Sequence, residues 1–325
     1  MSVKHIYILS AIAMVAALVA IMQIGGAGQA PAAFPPVRPH HVVYQVTLPP
    51  SWYSGDHAPV GVTDYGAYQS GSTVVAYSYS SDEFMGNFTI YNANFNSNSS
   101  TDPHSYSIQL NVVLNYTSGG SSRYLWVQDV AVINTATDQL NIVDNIWNLT
   151  TSSANLNRRL VSGNGKVYTY QGYTYYAYEY PSTITYSYPL SVSLFVTVGT
   201  SSRGYPVINF YFVYGGSVIK YDSVTVKVPS TSATYTVEGY SLLPSGLYAD
   251  AELVTGGPGG GSSAMPVSYN ATYTLQYVSG GKLVSVPHAF DYGANTAENV
   301  YGTSDSGSNY AATLGVGQEY FHELW

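Results

Sequence analysis

Two carboxylates stand two residues apart in residues 246–254, a strand-like segment that a glycine-rich run follows at 256–261. Strand residues two apart point to the same face, so Asp250 and Glu252 lie side by side. The rise of a strand places their Cα atoms roughly 6.5 to 7 Å apart. Two such carboxylates repel when both are ionised, so one keeps its proton to higher pH and an acid/base pair results. The alternative is an edge strand with two solvated acids.

An amide and a carboxylate stand side by side in residues 125–130, Leu-Trp-Val-Gln-Asp-Val. β-Branched and aromatic residues without glycine or proline predict a strand here. Strand alternation puts Trp126 and Gln128 on one face and Asp129 on the other. Gln128 and Asp129 therefore cannot both enter one cleft from a regular strand.

These residues allow two versions of one reaction, the hydrolysis of a peptide bond by activated water. In the first version, Asp129 pairs with Glu252 or Asp250, and the two carboxylates share a proton. In the second version, Glu252 is the general base, and the Gln128 amide orients the water and stabilises the oxyanion. The sequence leaves both versions open, and Glu252 is our first choice as the acid/base in either.

Aromatic and acidic residues near the two segments are candidates for binding the substrate. Trp126, Trp147 and Tyr248 offer apolar bodies with polar tips. Asp144 either lines the cleft beside Trp147 or caps the following turn. The seven histidines are scattered, and the sequence contains no zinc-ligand spacing, phosphate loop or Ser/His/Asp elbow. The motifs therefore predict no metal site.

The chain has few charges: 9% of its 325 residues are charged, against about 25% in an average soluble domain. Its 18 acidic and 10 basic residues leave a modest acidic excess, and the bases are scattered, which argues against nucleic acid as a partner. A surface of Tyr, Ser, Thr, Asn and Gly keeps its hydration from neutral pH to strong acid, so the composition suits an acid environment. The alternative is a non-catalytic cell-surface β-sandwich glycoprotein, an adhesin or carbohydrate-binding protein that uses some of its 34 tyrosines as a platform.

The N-terminus resembles a secretory signal. Residues 6–22 are apolar and uncharged, and Gly28 and Ala30 form a small-x-small cleavage site. We expect cleavage after Ala30; the alternative is an uncleaved N-terminal anchor, which is the one membrane contact that the sequence predicts. The chain has no cysteine, and five Asn-x-Ser/Thr sequons favour an extracellular glycoprotein. Their asparagines are Asn87, Asn98, Asn115, Asn148 and Asn270.

Alternating apolar and polar segments between turn residues predict an all-β fold. Residues 105–116 and 125–130 flank Gly119-Gly120, which predicts a hairpin. Residues 151–161 hold the one helix candidate, which starts with Ser and Thr and has two arginines in its last turn. We predict a many-stranded antiparallel β-sandwich of two packed sheets, or a partly closed barrel, with at most that one short helix. The predicted divisions are 1–30 for the signal peptide or anchor, 31–57 for a Pro-rich linker and first strand, and 58–325 for the peptidase domain.

Six motifs together carry a resemblance to a known family. They are Trp-Val-Gln-Asp-Val at 126–130, Asp-Asn-Ile-Trp-Asn-Leu-Thr at 144–150, Ser-Gly-Asn-Gly at 162–165, Tyr-Ser-Tyr-Pro-Leu at 186–190, Gly-Leu-Tyr-Ala-Asp-Ala-Glu-Leu-Val at 246–254 and Gly-Ala-Asn-Thr-Ala-Glu at 293–298. In order and spread they resemble the thermopsin family of archaeal acid endopeptidases. The resemblance implies a secreted, cofactor-free protease from an acidophilic thermophilic archaeon, which cleaves protein or peptide substrates in hot acid. It assigns no catalytic residue.

The version of the site that combines Gln128 with Glu252 has a second resemblance. Glutamic peptidases place a Gln and a Glu on neighbouring strands of a β-sandwich, and the predicted strands carry the same two residue types. This likeness rests on residue type and strand context alone. It implies that both side chains face one cleft.

Overall fold

The computed structural model describes residues 58–70, 73–170, 172–308, 310–317 and 323–324. In these ranges the chain forms strands, turns and bends, and no helix. The predicted signal segment at 1–30 and the predicted linker and first strand at 31–57 lie outside the described residues. Within the described ranges, no helix is long and apolar enough to cross a membrane.

The described residues form 23 strands. In chain order they are β1 (Val60–Asp64), β2 (Ala67–Ser70), β3 (Thr73–Ala76), β4 (Ser78–Ser81), β5 (Glu83–Ser97), β6 (Ser105–Ser118), β7 (Ser121–Asn134), β8 (Gln139–Asn148), β9 (Val161–Ser162), β10 (Lys166–Tyr170), β11 (Tyr173–Glu179), β12 (Ile184–Thr185), β13 (Leu190–Thr200), β14 (Pro206–Tyr214), β15 (Ser217–Val226), β16 (Ser232–Glu238), β17 (Ala251–Gly256), β18 (Ala264–Ser279), β19 (Lys282–Ser285), β20 (Ala289–Tyr292), β21 (Thr303–Ser308), β22 (Ala311–Val316) and β23 (Glu323–Leu324).

The strands assemble into two main antiparallel sheets and one two-stranded ribbon of β2 and β3. The large sheet has 12 strands and runs β10-β11-β8-β7-β6-β17-β1-β20-β23, with β12 beside β8 and with β4 and β16 attached through β6. The small sheet has nine strands and runs β21-β22-β18-β5-β13-β14-β15-β9, with β19 beside β18. Most candidate site residues lie on the central strands β7, β8 and β17 of the large sheet, while Tyr248 and Asp250 precede β17.

The inner face of the large sheet packs against the small sheet. Leu110, Val127 and Leu253 of the large sheet share one buried apolar cluster with Phe210 of the small sheet. The sheets approach closely at Gly86 on β5, where an added Cβ would lie 2.5 Å from Leu253 Cδ1. Both sheets are open, since in the described ranges neither closes on itself. The predicted all-β sandwich is confirmed, and the barrel alternative is not realised.

The outer face of the same central strands is also buried. Trp126, Trp147 and Val113 form a second apolar cluster with Leu247 and Ala249, which precede β17. The segment between β16 and β17 thus crosses over this face of the sheet. Because the central strands are covered on both sides, a carboxylate on either of their faces is removed from water.

The predicted hairpin is confirmed. β6 and β7 pair along their whole length, with Ser118 opposite Ser121 at the turn. Gly119 and Gly120 between them have φ angles of 58° and 75°. A two-residue hairpin turn with positive φ at both positions suits glycine, which adopts this conformation without steric cost.

The helix predicted within 151–161 is wrong. Residues 151–160 form turns and an extended stretch instead. Leu156 N donates to Thr174 O at 2.9 Å, and Thr174 N donates to Asn155 Oδ1 at 2.8 Å. Ser, Thr and Asn side chains compete for the hydrogen bonds of a helix, and the start of β11 supplies this segment with partners that a helix would forgo.

Candidate active site

A row of polar residues crosses the outer face of the large sheet, one from each of four adjacent strands. Glu252 on β17 is opposite Asn111 on β6, Asn111 is opposite Gln128 on β7, and Gln128 is opposite Asn145 on β8. All four side chains are buried. Neighbouring strands lie about 4.8 Å apart. One strand, β6, lies between Glu252 and Gln128, so the backbones of β17 and β7 are roughly 10 Å apart.

Hydrogen bonds span the strand that separates Glu252 from Gln128. Asn111 Nδ2 donates to Glu252 Oε2 at 2.9 Å, and Gln128 Nε2 donates to Asn111 Oδ1 at 3.1 Å. At the far side of Gln128, Trp147 Nε1 donates to Gln128 Oε1 at 3.0 Å. The amide and the carboxylate predicted from sequence therefore belong to one network, which Asn111 joins.

Asp250 and Glu252 form a buried carboxyl pair. The charge of Glu252 raises the pKa of Asp250, because two carboxyls this close repel unless one of them holds a proton. Glu252 Oε1 accepts from the backbone N–H groups of Ala294 at 3.1 Å and Asn295 at 3.3 Å, while its Oε2 accepts from Asn111. Because donors surround both Glu252 oxygens, the proton belongs to Asp250.

Burial raises the pKa of both members of the pair. Neither side chain has exposed surface. Burial raises the pKa of Asp250 well above its usual range, and the charge of Glu252 raises it further. Burial also raises the pKa of Glu252, but hydrogen bonds from Asn111 and from the backbone of Ala294 and Asn295 oppose that rise. The environment thus divides the pair into an acid that keeps its proton and a base that loses its proton first.

Two segments, residues 239–249 and 293–299, lie over the polar row, and we call them the cover. Asn295 ties the two segments together, since its Nδ2 donates to Tyr248 O and its Oδ1 accepts from Tyr248 N, both at 3.0 Å. Asn295 Nδ2 also donates to Asp250 Oδ1 at 2.7 Å. Gly293 allows the cover to approach closely, because an added Cβ would lie 3.0 Å from Glu252 Oε1.

The glycine-rich run after β17 is tied to the same network. Gln128 Nε2 donates to Gln109 Oε1 at 3.2 Å, Gln109 Nε2 donates to Ser107 Oγ at 2.9 Å, and Ser107 Oγ donates to Gly257 O at 2.7 Å. Glu298 Oε1 accepts from Gly261 N at 3.1 Å. Burial raises the pKa of Glu298 to about 7.

Asp129 lies on the inner face of β7, on the opposite side of the sheet from Glu252. Tyr221 OH donates to Asp129 Oδ1 at 2.8 Å, and Asp144 is its cross-strand neighbour. Burial raises the pKa of Asp129 and of Asp144 well above the usual range. The charges of Asp222 on the small sheet and of Asp129 raise the pKa of Asp144 further. The backbone of the large sheet separates this inner group from the Asp250–Glu252 pair.

The four candidates for substrate binding fall in three places. Trp126 and Trp147 are cross-strand neighbours on the outer face, and both are fully buried. Trp147 also stacks on Tyr175 with 4.2 Å between ring centroids. Tyr248 is half-buried in the cover. Asp144 lies on the inner face, away from the other three.

Sequence reasoning missed the amides that connect the site. Asn111 was predictable in part, because it lies eight residues before Gly119 and Gln128 lies eight residues after Gly120, which makes them opposite in the predicted hairpin. Gln109 lies two residues earlier on the same face. Asn295 carries no signal in its own segment that would link it to Asp250. The described residues contain no group of three or more His, Cys, Asp or Glu side chains arranged to hold a metal ion.

A family model and a curated relative both match this chain to one family. The family model described as Thermopsin matches residues 45–303. Thermopsin of Sulfolobus acidocaldarius is 33% identical over 271 residues, which cover 79% of each chain. Among solved structures, a crystal structure of Scytalido-glutamic peptidase with a peptide-based transition state analogue matches over 81% of this chain and 99% of that one, with a TM-score of 0.31 and 13% identity. Similarity at that level transfers neither residue roles nor mechanism.

Proposed function

Since this chain belongs to the thermopsin family and is a peptidase, we propose that it is a secreted endopeptidase that cleaves proteins in hot acid, with Asp250 and Glu252 as its acid/base pair. The observation that carries the proposal is the path of hydrogen bonds from Glu252 through Asn111 to Gln128, at 2.9 and 3.1 Å. This path supports the version of the reaction that uses the Gln128 amide. Asp129 has no part in it.

Hydrolysis then proceeds through balanced proton transfers. Glu252 takes a proton from a water molecule whose oxygen attacks the carbonyl carbon of the scissile bond. The Gln128 amide donates a hydrogen bond to the oxyanion that forms. Asp250 gives its proton to the leaving nitrogen as the C–N bond breaks, and Glu252 returns the proton it gained to Asp250. The pair ends as it began, with one proton on Asp250.

A substrate must open the cover to reach this pair, because Glu252, Asp250 and Gln128 have no exposed surface. In the closed state the Gln128 amide hydrogens are donated to Gln109 and Asn111. Both bonds, at 3.2 and 3.1 Å, are at the long end of the usual range. We infer that the substrate carbonyl displaces one of these acceptors when it binds.

Several features of the chain support acid conditions and export. Carboxylic acids are the side chains whose protonation changes in acid, so a pair of two carboxyls suits acid–base catalysis at low pH. Only 9% of residues are charged, so acid changes the surface little. The apolar run at 6–22 with its small-x-small site supports export. The sequon asparagines Asn98 and Asn270 are exposed, as attachment of a glycan requires. The family resemblance is the support for high temperature.

The direct test replaces the base. In Glu252→Gln the shape is retained but no carboxylate remains to accept a proton. We expect kcat/KM for a denatured protein substrate at acid pH to fall by about 10²- to 10⁴-fold, the usual contribution of general acid–base catalysis. Circular dichroism and the denaturation midpoint report whether the fold is intact. Wild-type activity in a folded Glu252→Gln variant would remove Glu252 from the mechanism.

Glu298→Gln is the matched control. Glu298 is also buried, and its carboxyl accepts from Gly261 N and from Thr296 Oγ1. The proposed proton transfers do not use this carboxyl. Its pKa of about 7 keeps it protonated in acid, so an amide there resembles the form already present. We expect activity close to that of the wild type. An equal loss in both variants would point to general damage to the cover.

A further inference from the structure

We propose that Trp147 is a positioning residue, whose indole N–H sets the direction of the hydrogen bonds that run through Gln128 and Asn111 to Glu252. The inference rests on the proposed function and adds to it the group that fixes the Gln128 amide. It also changes the role of Trp147, which sequence reasoning placed among the residues that contact the substrate.

The donor-to-acceptor direction of this series of hydrogen bonds follows from the Trp147 indole. An indole N–H donates and never accepts, so the Gln128 atom that faces Trp147 at 3.0 Å is the oxygen, Oε1. The nitrogen of that amide must then face Asn111 Oδ1, at 3.1 Å. Asn111 in turn presents its nitrogen to Glu252 Oε2, at 2.9 Å. Glu252 therefore sits at the accepting end.

A second branch from Gln128 agrees with this direction. Gln128 Nε2 donates to Gln109, Gln109 donates to Ser107, and Ser107 donates to the carbonyl oxygen of Gly257. A carbonyl oxygen only accepts, so this branch also runs away from Gln128. Trp147 is the source of both branches, since it holds the acceptor end of the Gln128 amide.

Reversal of the Gln128 amide would change the state that Glu252 must adopt. The Gln128 oxygen would face the Asn111 oxygen, and two oxygens without a proton form no hydrogen bond. Asn111 would then have to turn as well and present its own oxygen to Glu252. Glu252 would need a proton to satisfy it, which is the wrong state for a base. Trp147 thus favours the ionised form of Glu252, although Gln128 and Asn111 lie between the two side chains.

Packing holds Trp147 in place for this role, and a neighbour offers a comparison. Trp147 is fully buried and stacks on Tyr175 with 9° between the ring planes. Trp126 is its cross-strand neighbour and is equally buried. The Trp126 indole nitrogen has no hydrogen-bond partner among the residues that the structure describes. Both tryptophans are buried, but only the Trp147 indole donates a hydrogen bond to Gln128.

The test is a double-mutant cycle of Trp147→Phe with Gln128→Ala, assayed on a protein substrate across the acid range. With Gln128 present, we expect Trp147→Phe to lower kcat by roughly 10- to 100-fold, as misplacement of a catalytic group does, with KM changed by less than about twofold. The acid limb of the kcat profile moves to higher pH, because a loosened amide lets Glu252 hold its proton more tightly. In the Gln128→Ala background, we expect Trp147→Phe to cause no further loss of kcat.

Trp126→Phe is the comparison variant, since it makes the same truncation of the ring. Any effect of Trp126→Phe should be the same with and without Gln128, because no bond joins the two. If the loss from Trp147→Phe is also the same in both backgrounds, or if the acid limb does not move, Trp147 only packs and the proposal is overturned. Wild-type activity in Gln128→Ala alone would instead contradict the proposed role of Gln128.

If Trp147→Phe does not fold, Asn111→Asp tests the direction of the hydrogen bonds from Gln128 through Asn111 to Glu252. The new carboxyl must accept from Gln128 and donate to Glu252, which it can do only while it is protonated. We expect the high-pH limb of kcat to move to lower pH, because two carboxylates face each other once the new group ionises. An unchanged limb would mean that Asn111 need not donate to Glu252, and the direction proposed for the chain would be wrong.

Discussion

Asp250 and Glu252 are similar side chains to which the fold gives different partners. Glu252 receives hydrogen bonds at both oxygens, from Asn111 and from two backbone N–H groups. Asp250 Oδ1 accepts from Asn295, while burial and the charge of Glu252 raise the pKa of Asp250. Because donors stabilise the ionised form of a carboxyl, we propose Glu252 as the base and Asp250 as the acid.

This assignment predicts the behaviour of Asp250→Asn. The new amide keeps an oxygen for Asn295 and offers an N–H to Glu252, but it holds no proton that it can give to the leaving nitrogen. We expect kcat to fall by about 10²- to 10⁴-fold. In the wild type, activity should fall at high pH when Asp250 loses its proton. The variant has no such proton, so its residual activity should persist to higher pH. A wild-type kcat with an unchanged high-pH limb in the pH–rate profile would show that Asp250 transfers no proton.

For the candidate site, the sequence predicted which side chains share a face better than which side chains contact each other. Period-2 alternation was enough to place Gln128 and Asp129 on opposite faces and to pair Asp250 with Glu252. It did not indicate which face of β7 lies on the same side of the sheet as Glu252, because both faces of that strand are buried and apolar residues occupy both. Asn295 reaches Asp250 across 45 residues of sequence. No local pattern encodes a contact of that kind.

At the level of elements, the hairpin of β6 and β7 carries most of the site. Its glycine turn fixes the register, and the register places Asn111 opposite Gln128. β17 then pairs with β6 and brings Glu252 to the other side of Asn111. The first pairing is local and follows from the sequence. The second joins strands more than 130 residues apart, and it depends on how the two sheets pack.

The failed helix prediction illustrates the same limit. The segment within 151–161 has start and stop signals for a helix, but Leu156 and Asn155 bond to Thr174 on β11. Ser, Thr and Asn have a weak preference for helix, because their side chains form hydrogen bonds with the backbone in other conformations. Tertiary partners therefore decided the conformation of a segment whose own preference was weak, and those partners are not visible in the segment itself.

At the level of the whole molecule, buried carboxyls with raised pKa values occur on both faces of the large sheet. Burial raises the pKa of Asp129 and Asp144 well above the usual range on the inner face. Elsewhere, burial raises the pKa of Asp64 to about 7, although Tyr77 and Tyr79 donate hydrogen bonds to it. A protein with this many buried acids is most stable when they are protonated.

The sign of the pH dependence follows from the folded and unfolded pKa values. Asp64 has a pKa of about 7 in the folded chain and an ordinary value of 3.8. Between these values the folded state holds a proton that the unfolded state has lost, so stability falls as pH rises by up to about 1.4 kcal/mol per pH unit for each such group. We expect the guanidinium midpoint to be highest near pH 3 to 4 and to fall towards pH 7.

Asp64→Asn should flatten part of this slope. The variant keeps an acceptor for Gly66 N and Tyr77 OH but has no titrating proton. Its free energy of unfolding should therefore fall less between pH 4 and 7 than that of the wild type. A midpoint that rises with pH, or an equal slope in Asp64→Asn, would contradict this account of acid stability.

The central claim is that the chemistry takes place on the outer face of the large sheet, and neighbouring residues of β7 allow a direct test. Gln128 points to that face and Asp129 to the other. We measure kcat/KM for acid proteolysis in Gln128→Ala and in Asp129→Asn. Loss of the oxyanion donor should cost Gln128→Ala about 10²- to 10³-fold. Asp129→Asn should stay within about threefold of the wild type, since Asp129 is already neutral in acid because its pKa is well above the usual range. Loss of activity in Asp129→Asn with Gln128→Ala unaffected would place the chemistry on the inner face and contradict the claim.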